Sequence, residues 1–320
     1  MSRPAVLDPA MPAGCVRDES LAPRTYCKIG GTARVFCEAR NAEEVLAAVR
    51  WAREAGLGPA DRFILGGGAN VLINDVRDYG LVVAFHESFH AIEVDEAGTS
   101  ARIETGIRTP RLVREAARRG WEGFQFLAGV PGTLGGAIVM NAGVKELSTW
   151  DVVRAAEGIG WDGLRRAITR EEARPRYREG GVPTDLIVTH AVCEIRPGDP
   201  EAIHAQARSL STSRRRTQPL TYPSWGSTFR NPSGVSSTGV TAGSLIERAG
   251  LKGFRSGNAQ ISELHANFVV NLGGATAADA LACLRRAYEE VRDRLGVRLE
   301  PEVRLIGFTP DDLAFLGDGG

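Results

Sequence analysis

"RFILGGGANVLIND", Arg62 to Asp75, decides how the chain is to be read. Phe63, Ile64 and Leu65 lead into Gly66, Gly67 and Gly68, and Val71, Leu72 and Ile73 leave them, so the stretch reads strand, glycine turn, strand. A dinucleotide fold of the doubly wound kind needs G-x-G-x-x-G with a helix behind the glycines. Neither is present, because the run is GGGAN and the apolar stretch after it is short and partly β-branched. The glycines instead expose successive backbone N–H groups, a nest able to hold phosphate oxygens. Read alone, the loop is also a tight turn, which glycine favours on conformational grounds.

Working outward, "NAEEVLAAVRWAREAG" predicts a helix: Asn41 with Glu44 makes a capping-box-like start, Val45, Val49 and Ala52 share a face, and Gly56 ends it. "GLVVAFH" adds a strand, and "HAIEVDEAGTSARIETG" alternates on both sides of Glu96-Ala97-Gly98 as a hairpin does. Thr109 is expected to cap a short helix with Pro110 at its first position. A second glycine-rich passage, "FLAGVPGTLGGAIVMNAG", sets Gly129, Gly132, Thr133, Gly135 and Gly136 ahead of the apolar run AIVM, where a helix start can aim N–H groups at an anion. A hairpin turning at Asp162-Gly163 follows, then the buried strand "DLIVTHAVCEI" and a helix from Pro200 to about Arg216. Beyond lie a helix in "AGSLIERAG", a strand in "HANFVVN", a helix from Ala277 to Leu295 and a last strand in "VRLEPEVRLIG".

The class is α+β. Residues 1–20 are expected to be a flexible tail, 21–212 a first domain of two lobes parted near 98–100, 213–308 a smaller second domain, and 309–320 a flexible acidic tail. A hydrophobic fraction of 43% supports a real core, and 39 basic against 39 acidic residues give no field that would steer the chain to nucleic acid or an acidic membrane. Nearly all the positive charge is arginine; lysine occurs only at Lys28, Lys145 and Lys252. No signal-peptide pattern opens the chain and no run approaches the roughly 18 apolar residues of a membrane span. The five cysteines are odd in number and form no C-x-x-C pair, so neither a disulfide framework nor a zinc site is expected, and a reducing, cytoplasmic setting is. No metal is expected.

"YPSWGSTFRNP", Tyr222 to Pro232, poses the functional question. It is either a turn that contains Ser227 or a loop built to present it, and the residues alone leave both open.

Taken in order, "KIGGTA", "LGGGANVLI", "FLAGVPGTLGGAIVMNAG", "RRRTQPLTYPSWGSTFRNP", "AGSLIERAGLKG", "HANFVVN" and "LEPEVRLIG" resemble the UDP-N-acetylenolpyruvoylglucosamine reductase family, also called UDP-N-acetylmuramate dehydrogenases or the MurB family, from about Thr25 to Gly307. The resemblance implies an FAD-binding domain of the vanillyl-alcohol-oxidase (PCMH) type followed by a smaller α+β substrate-binding domain. It implies non-covalent FAD, NADPH as electron donor, and reduction of UDP-N-acetylglucosamine enolpyruvate to UDP-N-acetylmuramate in peptidoglycan synthesis. Gly66, Gly67, Gly68, Ala69 and Asn70, with Gly129, Gly132, Thr133, Gly135 and Gly136, would then hold the FAD pyrophosphate. The partner is a small molecule, with no nucleic acid and no membrane insertion, and a monomer is favoured.

That chemistry sets requirements. With hydride delivered from flavin N5 to the terminal carbon of an enolpyruvyl ether, negative charge builds on the carboxylate as an enediolate, which donors or a cation must stabilise. An acid must protonate the other carbon. By resemblance the acid is Ser227, Arg178 in "RYREGG" binds the carboxylate with its planar fork, and Glu302 in "EPEVR" completes the set, protonated and donating a hydrogen bond. Glu300, two residues away, is the obvious mis-assignment. Tyr177, Arg230, Asn231, Gln260 and Asn267 are candidate substrate contacts; Arg230 stands where relatives usually carry lysine. Arg214 to Arg216 either meet a nucleotide diphosphate or merely close a helix. None of the histidines is assigned to catalysis, and His265 is expected to be structural.

The sequence departs from the family pattern after "MNAG", where it runs "VKELSTWDVV", and after Tyr177-Arg178, where "EGGVPTD" leads at once into a strand. The second departure shortens the loop that would carry a lid tyrosine, as in the shorter type II subgroup. Two rival readings are a flavin-dependent alcohol or sugar oxidase on the same scaffold and a non-catalytic flavin or nucleotide-sugar binding protein. The first often anchors its flavin to a histidine in the glycine loop, where this chain has Ala69 and Asn70; the intact trio Arg178, Ser227 and Glu302 opposes the second.

Overall fold

The computed structural model describes residues 10–144, 147–232 and 239–317; Lys145 and Glu146 of the "VKELSTWDVV" departure and the outer ends of both expected tails lie outside the described residues. The chain divides into two compact units, and neither is continuous. The first comprises residues up to Glu19, Ala33–Gly67 and Tyr79–Thr212; the second comprises Ser20–Thr32, Gly68–Asp78 and the residues from Ser213 onward.

The first unit is built on two larger sheets, with short two-stranded pairings beside them. In one, the strands run in the order Cys15–Ser20, Thr32–Ala39, Asp78–Phe85, Arg62–Leu65, with the last pair parallel and Ile64 opposite Val83. The helix Ala42–Glu54 starts as its sequence predicts, with Asn41 Oδ1 accepting from the Glu44 N–H at 2.9 Å. Its Val45 and Val49 meet Ile159 and Ile187, and its Ala48 and Ala52 meet Val35 and Leu81, so one helix fills two small apolar clusters. The other sheet is five-stranded and antiparallel, in the order Arg165–Thr169, Val153–Gly160, Leu186–Glu194, Ser100–Glu104, Ile92–Val94. Leu112, Val113 and Ala116 of the helix Thr109–Arg118 join its inner residues in one core with Phe124, Phe126 and Trp150.

The second unit is built on a four-stranded antiparallel sheet, Ser224–Ser227, Phe268–Asn271, Ala259–Ile261, Arg255–Ser256. The helix Ala277–Leu295 buries Ala280, Cys283, Leu284, Ala287, Tyr288 and Val291, a three-to-four-residue period, in the same core as Trp225, Ile261 and Val269. Thr276 and Asp279 form its capping box, and Gly296 in the left-handed region at φ +67° ends it.

Several expectations change. Residues 15–20 are not tail but an edge strand, and Cys15 is joined to Cys37 on the neighbouring strand, their Cα atoms 4.2 Å apart. This corrects the expectation of no disulfide: strand register brought together two residues whose sequence spacing carries no pairing signal. Cys27, Cys193 and Cys283 are buried free thiols, with burial pushing Cys193 up to about 12 and Cys283 up to about 11, so they are protonated and inert. The lobes do not part near 98–100, where the chain turns within a hairpin; the sheet changes between Phe85 and Ile92. Arg108, not Thr109, is the N-cap residue of its helix, and Thr109 Oγ1 donates instead to the Val130 carbonyl. The last strand shrinks to Arg304–Ile306 and pairs in parallel with Val71–Ile73, which is why Gly68–Asp78 belongs to the second unit. Residues 309–317 are ordered on the long helix: Phe315 meets Tyr288 edge-on at 5.8 Å, and the Tyr288 hydroxyl donates to the Leu316 carbonyl at 3.1 Å. Among the described residues no helix is long and apolar enough to cross a membrane.

Candidate active site

In the first unit the two glycine passages meet. A Cβ on Gly67 would stand 2.4 Å from the Gly132 Cα, and one on Gly66 would stand 3.3 Å from Thr133 Oγ1, so only glycine lets the backbones approach this closely. Gly132 is itself at φ +111°. The N–H groups divide into two kinds. Gly135 donates to the Thr105 carbonyl at 2.9 Å and Gly136 faces its own N-cap Thr133, so both are committed to the fold. Gly67, Gly132 and Thr133 keep N–H groups with no acceptor among the described residues. Those three donors suit phosphate oxygens. The guanidinium of Arg108, which the sequence reading passed over, lies 3.2 Å from where a Gly67 Cβ would be.

The same unit carries Arg178. Arg176 and Glu179 exchange backbone hydrogen bonds of 2.7 and 3.1 Å, closing a turn whose third residue, Arg178, is held at φ +57°. Asn141 Nδ2, from the "MNAG" motif, donates to the Arg176 carbonyl at 2.9 Å. Gly180 and Gly181 press on the chain: Cβ atoms there would stand 2.0 Å from the Ile138 carbonyl oxygen and 1.7 Å from that of Ala173. The departure "EGGVPTD" is thus a short return to the core. A non-glycine residue in the left-handed region costs about 1–3 kcal/mol and marks functional sites. The Arg178 guanidinium lies over the Tyr177 ring, 4.8 Å from its centre, and that ring is half exposed.

In the second unit Ser227 ends the strand Ser224–Ser227, whose pairing with Phe268–Asn271 is interrupted by a bulge. Gly226 sits at φ +87° with nothing closer than 3.9 Å to a notional Cβ, so it is required for its dihedral angle and not for close approach. The bulge re-aims the next side chain, and the half-buried Ser227 hydroxyl makes no hydrogen bond among the described residues. Its neighbour is spoken for: Thr228 Oγ1 accepts from Trp225 Nε1 at 3.3 Å, and the Thr228 carbonyl accepts from the Glu302 N–H at 2.8 Å. Glu302 is held from its other end by Asn70, whose Nδ2 donates to the Glu302 carbonyl at 3.0 Å. Glu300, by contrast, is exposed and ion-paired with Arg230 at 3.7 Å. The Nε of Arg230 is buried and has no hydrogen-bond partner among the described residues, an orphan donor of the kind an anion satisfies.

The remaining candidates make hydrogen bonds within the fold. Asn267 is buried; its Oδ1 accepts from the Phe229 N–H at 2.9 Å and its Nδ2 donates to the Phe229 carbonyl at 2.8 Å. His265 Nδ1 accepts from the Asn267 N–H at 3.2 Å, and burial holds its imidazole below the usual histidine range, hence neutral. Asn231 Oδ1 accepts from the Ala242 N–H at the start of the helix Ala242–Arg248, and Gln260 Nε2 donates to the Gly253 carbonyl. Gly68, Ala69 and Asn70 fall in this unit; a Cβ on Gly68 would stand 2.4 Å from the Arg24 carbonyl oxygen, and its own carbonyl accepts from the Tyr26 N–H.

Residues 33–168 match the family FAD binding domain. With the α+β architecture and the anion-ready glycine loops, this defines an FAD-dependent oxidoreductase, and FAD is its cofactor. Residues 218–306 match UDP-N-acetylenolpyruvoylglucosamine reductase, C-terminal domain. The chain is 42% identical to the UDP-N-acetylenolpyruvoylglucosamine reductase of Anaeromyxobacter dehalogenans over 95% of its own length and 91% of that protein's. It is 41% identical to UDP-N-acetylenolpyruvoylglucosamine reductase 2 of Symbiobacterium thermophilum, with 92% of each covered. The crystal structure of the Thermus caldophilus UDP-N-acetylenolpyruvylglucosamine reductase superposes with a TM-score of 0.74 at 32% identity, covering 91% of this chain and 97% of that one. The chain belongs to the UDP-N-acetylenolpyruvoylglucosamine reductase family.

Proposed function

We propose that this protein reduces the enolpyruvyl ether of UDP-N-acetylglucosamine to UDP-N-acetylmuramate at the expense of NADPH, in the cytoplasm, as a step of peptidoglycan synthesis. The observation that carries the reading is Ser227: a hydroxyl set on a glycine bulge, free of protein partners among the described residues, one position from the backbone that holds Glu302. Bound FAD supplies the two-electron relay between nicotinamide and substrate. The chain's own groups do the rest. The Arg178 fork takes the two oxygens of the enolpyruvyl carboxylate and stabilises the charge that builds there. Ser227 Oγ gives its proton to the carbon that carries the ether oxygen, and Glu302 donates a hydrogen bond to the developing enediolate. Arg230, through its orphan Nε, meets a phosphate of the UDP. Gly66 and Gly67 with the Gly129–Gly136 passage cradle the FAD pyrophosphate, and the residues from 213 onward receive the nucleotide-sugar.

The test is to mix purified protein anaerobically with NADPH and then with the enolpyruvyl substrate. Loss of flavin absorbance, its return on adding substrate, and a product heavier by two hydrogens are expected. Return of the absorbance only on admitting oxygen, with no change in substrate mass, would replace this reading with that of an oxidase.

A further inference from the structure

We infer that Arg108 is a side-chain anchor for the cofactor's diphosphate, supplying the formal positive charge that the glycine loops lack. The inference rests on the reading of those loops as the pyrophosphate cradle. Arg108 is fixed in register with the second loop: it forms an antiparallel bridge with Thr133, in which the Thr109 N–H donates to the Gly132 carbonyl at 3.1 Å and the Leu134 N–H donates to the Ile107 carbonyl at 3.0 Å. Its Nη1 lies 3.2 Å from the notional Cβ of Gly67, so the guanidinium rests against the first loop as well. The same Gly67 position closes on Gly132, whose Cα is 2.4 Å from that notional Cβ, and the N–H groups of Gly67, Gly132 and Thr133 have no acceptor among the described residues. A guanidinium beside three unsatisfied donors is an electrostatically unfavourable cluster unless an anion joins it. Arg108 itself makes no ion pair among the described residues, and it is exposed, hence open to a ligand. Its planar fork pairs with two phosphate oxygens at once. The bound group is therefore the diphosphate of FAD rather than its isoalloxazine ring.

The test is equilibrium titration of apoprotein with FAD and, separately, with riboflavin, which lacks both phosphates, followed by flavin fluorescence. Arg108→Ala is expected to weaken FAD binding by about tenfold, the size of one lost charge-assisted hydrogen bond, with a shallower dependence on salt. Riboflavin affinity should not change, and Arg108→Lys should recover part of the loss. Unchanged FAD affinity in Arg108→Ala, or equal weakening of FAD and riboflavin, overturns the assignment of Arg108 while leaving the loops as cradle. Failure of the unsubstituted apoprotein to bind FAD overturns both.

Discussion

The side-chain amide of Asn70 donates to the main-chain carbonyl of Glu302 at 3.0 Å, across 232 positions of sequence. The Arg304 N–H donates back to the Asn70 carbonyl at 3.1 Å. The end of the glycine loop is therefore a support for the glutamate, and the "GAN" of one motif and the "PEV" of another are two halves of one local structure. Asn70→Ala should leave FAD affinity within about twofold, because the side chain is turned to Glu302. It should slow flavin reoxidation by substrate, since a partly buried hydrogen bond worth about 1 kcal/mol no longer fixes Glu302. Titration of apoprotein and a stopped-flow trace of reoxidation check the two halves; a large loss of FAD affinity would return Asn70 to the cofactor.

Arg178 is held at φ +57° in a turn that glycine would adopt without cost. Stability and activity should therefore move in opposite directions. Arg178→Gly is expected to gain about 1 kcal/mol, read as a rise of a few degrees in melting temperature, while losing most turnover. Arg178→Lys should keep the melting temperature and still lose turnover, because lysine retains the charge without the two-pronged geometry. Thermal melts and steady-state rates on both variants suffice, and wild-type turnover in Arg178→Lys would remove the residue from the site.

Asn267 shows where sequence reading stops. Its position in "HANFVVN" suits a substrate contact, yet both ends of its amide are consumed by the buried backbone of Phe229. Asn267→Ala should cost about 2–4 kcal/mol in denaturant unfolding, because a buried N–H and a buried carbonyl both lose partners. Unaltered stability with a raised KM would restore the substrate role.

What the sequence made legible follows from range. The helices Ala42–Glu54 and Ala277–Leu295 carry their own caps and apolar period, so local residues specify them. The presented serine was legible as a possibility because Gly226 and the turn residues around it interrupt a regular element, although Gly226 serves its dihedral angle and not close approach. The pairing of Arg304–Ile306 with Val71–Ile73 and the clamp on Phe229 depend on partners distant in sequence, and an asparagine in a loop gives no sign of which carbonyl it will meet. Arg108 went unread for the same reason: its meaning lies in Gly67, 41 positions earlier, and in Gly132, which it meets only in the fold.

The Cys15–Cys37 bond closes a loop of 22 residues between neighbouring strands. A loop of that length constrains the unfolded chain by about 3 kcal/mol. Dithiothreitol should lower the denaturation midpoint accordingly, Cys15→Ser should reproduce the shift, and the reductant should then have no further effect. Cys193 and Cys283, buried and protonated, should stay unmodified by thiol reagents until the protein unfolds. An unchanged midpoint under reductant would show that the pair contributes nothing to stability.

Ser227 gives the most discriminating prediction, because the proton proposed to come from it is needed in only one half of the reaction. Ser227→Ala should leave flavin reduction by NADPH close to normal, since no proton is delivered to the enolpyruvyl carbon in that step. Reoxidation by substrate should slow by the roughly 10²–10⁴-fold that loss of a general acid costs. Ser227→Cys should recover part of the rate, as a thiol ionises more readily than an alcohol and can give the same proton. Gly226→Ala offers an independent check: φ +87° is strained for alanine, so the bulge should relax and mis-aim the hydroxyl. That variant should slow the same half-reaction although the serine itself is retained, at a cost of about 1–2 kcal/mol in stability. A serine that only fills a turn behaves otherwise, since its loss would lower stability and slow both half-reactions together. Stopped-flow traces at the flavin absorbance run the halves apart, and equal slowing of both in Ser227→Ala would take the proton away from this residue.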